Sequence, residues 1–399
     1  MDALDFGDWT TASQKLLPDL IALRRAIHAE PELGLDLPRT TAKVEAALAG
    51  LPLEIRKGPS TSGLVAILRG PAQGRTVLLR GDMDALALTE QTGAPFASQS
   101  PGRMHACGHD AHTAMLVGAA RLLSARRDNL AGAVLFMFQP GEEGWHGARL
   151  MMEDGLLDPA PDGAFALHVS PNMPAGVIAS RPGPLLASSD KLRIRIRGAG
   201  GHASMPHDAL DPTPIACEIV LALQSLVTRR VPVSDPAVIT IAGLEAGDAD
   251  NVIPETARLW GTVRTLSEAT RKTMREGVER LARHIAAAHG AVAEVEIEPG
   301  FPVTVNDPQM VALVEATAVA LFGEDGWMLM RDPLMGAEDF SYVLQKVKGA
   351  MAFLGAAPPG ADPRTSHALH SNHMLIDERA MARGAAMHCA MAQAILAAS

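Results

Sequence analysis

The sequence predicts an α/β protein with a mainly parallel central sheet, interrupted by a smaller α+β lid domain. Three observations carry this reading. Short buried strands alternate with amphipathic helices up to about residue 180. After the Pro/Gly-rich stretch 181-RPGPLLASSD-190 the rhythm changes to a β-α-β-β-α-β pattern, that of an open sandwich with one helical face. From about residue 300 the earlier style resumes. The second domain (187–298) therefore reads as an insertion into a discontinuous first domain (1–186 and 299–399).

The elements follow in order. Residues 14–50 read as helical, because KLLPDLIALRRAIHAEPELG and TTAKVEAALAG carry apolar residues at helical spacing, with Gly50 as a stop. LVAILRG (64–70) and TVLLRGDMDAL (76–86) are short apolar runs and read as strands. HTAMLVGAARLLSARR is helix, GAVLFMFQP (132–140) strand, GARLMMEDGLL helix and AFALHV (164–169) strand. In the insertion, KLRIRIRG (191–198) alternates charged against apolar, a strand with one wet face. PIACEIVLALQSLVTRR is the next helix, AVITIAGLEAG and TARLWGTVRTL are strands, EATRKTMREGVERLARHIAAAHG is a helix, and AVAEVEIEPG alternates again. A sheet with a free edge predicts pairing with a second copy. ERAMARGAAMHCAMAQAILAAS forms a final helix.

Composition narrows the function classes. At 399 residues and 47% apolar, the chain can fill more than one large core, and 19 Met against 4% aromatics predicts a Met- and Ala-rich interior. A net charge of -10 without a basic run excludes a nucleic-acid tract. No stretch approaches the ~18 apolar residues of a membrane span. The acidic, polar N-terminus and three widely spaced cysteines (Cys107, Cys217, Cys389) predict a reduced, cytoplasmic protein without a disulfide framework.

In an open α/β sheet, sites form at the carboxyl ends of strands. TVLLRG runs into Asp82 and Asp84, GAVLFMFQP into Glu142 and Glu143, and AFAL into His168. The turn after the first strand carries Cys107 and His109 within MHACGHDAHTAM, and His370 in SHALHSNHMLID follows another short segment. Singly these are weak signals, since Cys-x-His, Glu-Glu and Asp-x-Asp are common in solvated loops and at helix starts. Together at strand ends, thiolate, imidazole and carboxylate point to a divalent transition metal such as Zn, Mn, Co or Ni. A catalytic ion rarely takes more than three protein ligands, so five or more candidates predict two ions and a shared ligand. If Glu143 binds metal, Glu142 is left to take the proton of the attacking water. Arg80-Gly81-Asp82 spells RGD but lies at a buried strand end, against an adhesion role. No G-x-S-x-G, H-E-x-x-H, Walker A or G-x-G-x-x-G is present.

RGDMDAL, MHACGHDAHT, FQPGEEG, ALHV, GGHASMPH and GAEDFS, in this order, resemble the dinuclear metallopeptidase family M20 of the aminoacylases, dipeptidases and glutamate carboxypeptidases, and most of all its amidohydrolase branch. The resemblance implies a dinuclear catalytic domain interrupted by a lid and dimerisation domain. It implies two divalent ions, Mn or Zn with Co or Ni as alternatives, held by Cys107, His109, Glu143, His168 and His370. Glu142 falls on the family's general base and Asp84 on an acidic position that orients a ligand. In the lid, His202 resembles the histidine that supports the oxyanion, while Asn251 and Arg264 resemble positions that hold the substrate's carbonyl and carboxylate. The implied substrate is an N-acyl amino acid, and the implied assembly a homodimer. Two departures, Ala87 where proline is usual and 371-SNHM-374 where proline and an aromatic are usual, fall beside the substrate pocket.

Three other readings stand beside this one. A dipeptidase or carboxypeptidase uses the same metals, a thiol hydrolase uses Cys107 with His109 or His112 as base, and a dead relative serves as a binding module. His105 and His112 read as hydrogen-bonded structural histidines, and His207, His367 and His373 as structural. His146 is a candidate for the pocket, while His28, His284, His289 and His388 read as surface or satisfied core. Cys217 and Cys389 read as core thiols.

Overall fold

The computed structural model describes residues 8–398. The chain divides into two compact units. The first runs to Leu185 and takes in Val305–Asp332 and everything from Asp339 on, and the second holds Leu186–Thr304 and Pro333–Glu338. Leu186 and residues 299–304 and 333–338, which the sequence reading places in the first domain, thus fall in the second unit.

The first unit opens with helices α1 (Trp9–His28) and α2 (Pro38–Leu48). It continues through β1 (Leu53–Lys57), β2 (Leu64–Arg69), β3 (Ala72–Asp82), α3 (His109–Ser124), β4 (Ala131–Gln139), α4 (Gly147–Glu153), β5 (Gly163–Ser170), β6 (Ile178–Ser180) and β7 (Gly183–Leu186). In the second unit come β8 (Asp190–Arg197), β9 (Gly201–His202), α5 (Pro212–Arg230), β10 (Ala237–Ala246), β11 (Val252–Ile253), β12 (Thr256–Thr265), α6 (Glu268–Ala288) and β13 (Val292–Pro299). The remainder is β14 (Thr304–Asn306), α7 (Pro308–Phe322), β15 (Trp327–Leu329), α8 (Ser341–Leu344), β16 (Gly349–Gly355) and α9 (Ala380–Ala397).

An eight-stranded sheet of order β1-β2-β4-β3-β5-β16-β6-β15 forms the frame of the first unit. The central block β4-β3-β5-β16 is parallel, while β1, β2 and the β16–β6 pairing are antiparallel. Parallel central strands are buried on both faces, which is why β4 and β5 read as unbroken apolar runs. Helices α1, α3 and α9 pack together. Small residues permit the approach: a Cβ on Gly384 of α9 would lie 2.0 Å from Met115 Sδ of α3.

The second unit has a four-stranded antiparallel sheet, β10-β12-β8-β13. Leu192, Ile194 and Ile196 of β8 point into a core with α5 and α6, while Lys191, Arg193 and Arg197 stay exposed. Both helices start on side-chain caps, Asp211 accepting from Thr213 N and Ser267 from Thr270 N. Cys217, expected in this core, is exposed instead, because α5 turns it away from the sheet.

Candidate metal centre

The first unit's site grows from strand ends. β3 stops at Asp82, and the chain leaves it through buried Met83 and Asp84. Gly108, at φ +83°, then swings the backbone into α3 so that His109 is its first residue. Only glycine fits there, since a Cβ would lie 2.4 Å from Val169 Cγ2. β4 runs out into the loop carrying Glu142 and Glu143, and β5 carries His168. His370 has φ +66° and donates its backbone N–H to Ala106 O at 2.8 Å, which fastens its loop to the segment before Cys107.

Asp84 is the post around which the glutamate loop is wrapped. Its two carboxylate oxygens accept the N–H groups of Glu142 (2.9 Å) and Glu143 (3.0 Å). Its carbonyl accepts from His109 Nδ1 at 2.8 Å. One buried residue therefore orients three candidate groups.

The donor atoms come together in two groups. Cys107, His109 and His168 lie within 4.8 Å of one another, and so do Cys107, Glu143 and His370. Cys107 belongs to both. Because His109 Nδ1 is committed to a carbonyl, Nε2 is the nitrogen left to meet an ion, and it is buried and has no hydrogen-bond partner. His168 repeats this arrangement: Nδ1 donates to Val169 O at 2.7 Å, and Nε2 faces Cys107 Sγ at 3.4 Å. Imidazoles oriented by a backbone carbonyl are the usual preparation for metal ligation.

Electrostatics agrees with that chemistry. Burial alone would lower His109, but Asp82 and Cys107 outweigh it and hold the imidazole well above its ordinary range. Cys107 and Glu143 push His370 up to about 10. A cluster that draws protons onto two imidazoles is short of positive charge, and these donors fit divalent ions. Burial pushes the Cys107 thiol up, which disfavours the nucleophile reading.

Beneath the donors lies a layer whose roles the sequence did not disclose. Asp82 Oδ1 accepts from His112 Nδ1 at 2.6 Å, and His112 Nε2 in turn accepts the Val169 N–H at 2.8 Å, beside His168. Arg80, 1% exposed, pairs with Asp82 at 2.6 Å and with Asp339 at 3.2 Å, and Gln139 bridges Arg80 and Asp339. The RGD arginine is thus a buried counter-charge. Asp339 lies within the GAEDFS stretch, which was the available signal. His105 corrects an expectation: neither ring nitrogen has a hydrogen-bond partner, and burial lowers it to about 3. The same applies to His388, lowered to about 3 by burial. His146, at φ +60°, shares a 2.9 Å hydrogen bond with the Tyr342 hydroxyl.

The other predicted residues belong to the second unit. His202, on β9, is exposed, and the Ser204 N–H donates to its Nδ1 at 3.1 Å, which leaves the ring proton on Nε2. Asn251 O accepts the Ala203 N–H at 3.1 Å, so Asn251 lies immediately before β11, at the end of the small β9–β11 ladder that carries His202. Arg264, near the end of β12, is half-buried, and its guanidinium has neither ion pair nor hydrogen bond among the described residues. Burial lowers it from the usual arginine range, with Asp190 opposing.

The family model for peptidase family M20/M25/M40 matches residues 78–394. The chain belongs to this family. Among its relatives, thermostable carboxypeptidase 2 of Saccharolobus solfataricus is 36% identical over 98% of this chain and 96% of its own length. The N-acetylcysteine deacetylase of Bacillus subtilis is 39% identical over 84% of this chain and 88% of its own. A crystal structure of a putative aminohydrolase from methicillin-resistant Staphylococcus aureus superposes with a TM-score of 0.91 at 30% identity, covering 97% of this chain and 98% of that one. Bacillus subtilis YXEP, described as a dinuclear metal binding peptidase of the M20 family, superposes at 0.82 with 34% identity, covering 96% and 99%.

Proposed function

We propose that this M20 protein is a metal-dependent amidohydrolase that cleaves N-acyl amino acids to a carboxylate and a free amino acid. The observation that carries the reading is the convergence of five donors beside Glu142, with no nucleophile other than water required. Cys107, His109 and His168 would hold one ion, and Cys107, Glu143 and His370 the other. When bound, such ions polarise the scissile carbonyl and acidify the attacking water. Glu142 takes the water proton and delivers it to the leaving amine as the C–N bond breaks, so one molecule of water is consumed per amide. Asp84 keeps Glu142 and Glu143 in place through their backbone N–H groups. His202, with its proton on Nε2, is a donor for the developing oxyanion, and Asn251 serves the carbonyl. Arg264, lacking a partner of its own, suits the α-carboxylate, which its fork binds through both oxygens. Mn or Zn is the proposed metal, with Co or Ni as alternatives. A homodimer through the second unit, and a cytoplasmic location, complete the proposal.

The test is amine release from N-acetyl, N-benzoyl and long-chain acyl amino acids after metal loading, each repeated with chelator. Chelator-sensitive release from one acyl class supports the reading, and release that survives complete metal removal overturns it. A carboxypeptidase or dipeptidase reading is favoured by the thermostable carboxypeptidase among the relatives. Dipeptides hydrolysed in preference to N-acetyl amino acids would move the assignment there.

A further inference from the structure

His367 and His373 flank His370 at intervals of three in the loop 366-SHALHSNH-373, and neither belongs to the donor set above. Their rings lie with centroids 5.1 Å apart at an interplanar angle of 37°. Two imidazoles bound to one tetrahedral ion at ~2.1 Å carry their centroids roughly 5 Å apart, so this spacing already suits a shared ligand. His373 Nδ1 bonds Gln91 O at 2.9 Å, and since a carbonyl only accepts, the ring proton is on Nδ1 and the Nε2 lone pair is free. Gln91 N donates to Asn372 O at 2.8 Å, so the loop is clasped to the same residue on both sides of the peptide. His367 has no hydrogen bond among the described residues, and both side chains reach solvent. A ligating imidazole with its second nitrogen tied to a backbone carbonyl is the recurrent form of a protein metal ligand.

We propose that His367 and His373 form a third, surface metal site for a borderline transition ion of the Zn, Ni or Cu class, with water completing its coordination. Mn and Mg, which prefer oxygen, are poor occupants. Its place is distinctive: the two ligands bracket His370, so an ion there ties down the loop that presents His370 to Glu143, 3.3 Å away. Excess Zn then acts on this loop without entering the proposed dinuclear site.

The experiment is equilibrium dialysis of the full chain against Zn, with metal per chain counted by atomic emission. The wild-type protein is expected to hold one more Zn than a His367→Ala/His373→Ala double variant. His373→Asn separates ligation from architecture, because an asparagine amide can still donate to Gln91 O but offers no Nε2. It is expected to lose the same equivalent while unfolding at the wild-type temperature. Equal Zn counts for wild type and double variant overturn the proposal, as does a His373→Asn protein that keeps the third ion. Substitution of Cys107 empties the other sites without removing this one, so failure here and failure of the amidohydrolase reading are distinguishable.

Discussion

Replacing Asp84 with asparagine probes whether one buried carboxylate sets up both glutamates. Asp84 is 1% exposed and accepts two backbone N–H groups, at 2.9 and 3.0 Å. Asparagine keeps one acceptor and turns an NH2 group towards the other backbone donor. A hydrogen bond to a charged acceptor contributes about 1.5–3 kcal/mol, and a buried donor left without an acceptor costs about 1–3 kcal/mol. With the loop fixed, the loss is roughly 3–5 kcal/mol. The loop has an outlet, since Glu143 is only partly buried and can swing towards solvent, which lowers the cost to roughly 2 kcal/mol. The outlet moves the catalytic groups, and a displacement of ~1 Å costs about 100-fold in rate. The Asp84→Asn protein should therefore lose at least ~100-fold in kcat/KM and show a reduced urea midpoint. It should also retain less metal after gel filtration, because Glu143 is mispositioned. A variant with wild-type turnover and metal content would refute the argument.

Further expectations follow from the same geometry. Glu142→Gln should lower kcat by ~10²–10⁴ while metal content is unchanged, as measured by atomic emission and steady-state kinetics. Arg264→Lys should raise KM about tenfold or more for substrates with a free α-carboxylate and leave esterified substrates alone, a comparison that one substrate pair makes directly. His28 is buried, and although burial lowers it, Asp110 at 2.7 Å and Glu90 at 3.2 Å push it up to about 9. Arg24 opposes them, and the His105 ring lies alongside. The folded value exceeds the unfolded one near 6.5, so the stabilisation, roughly 3 kcal/mol, is fully present below pH 6.5 and is lost as pH rises through 9. The urea midpoint should fall over that interval in the wild type, and a His28→Gln protein should show a shallower slope.

How much the sequence disclosed depended on whether a residue's reason was local. The KLRIRIRG strand was legible because one face is wet and the alternation is printed in the residues. β16, GAMAFLG, went unread because it is buried on both faces, and a short apolar run rich in Gly and Ala carries no strand periodicity. β1, LEIRK, was missed for a related reason: an edge strand exposes both faces and shows no apolar run. In the site, the donors could be suspected because they follow strand ends, a positional rule. The partnership of Asp82 with His112, and of Arg80 with Asp339, depends on contacts between distant segments, and nothing in the spacing announces it. His105 misled for the opposite reason: proximity to a motif suggested a hydrogen-bonded role that burial denies it.

The donor set is also ordered in time. Cys107, His109 and His168 are synthesised before the second unit, whereas His370 leaves the ribosome only after that unit is complete. On the proposed ligands, a nascent chain can assemble its first triad early but must wait for its C-terminal segment before the second closes. Cysteine, the ligand common to both, would meanwhile be held by the first ion rather than left open to oxidation. Cobalt present during cell-free synthesis should reveal this as two absorption phases, the thiolate band appearing in the first.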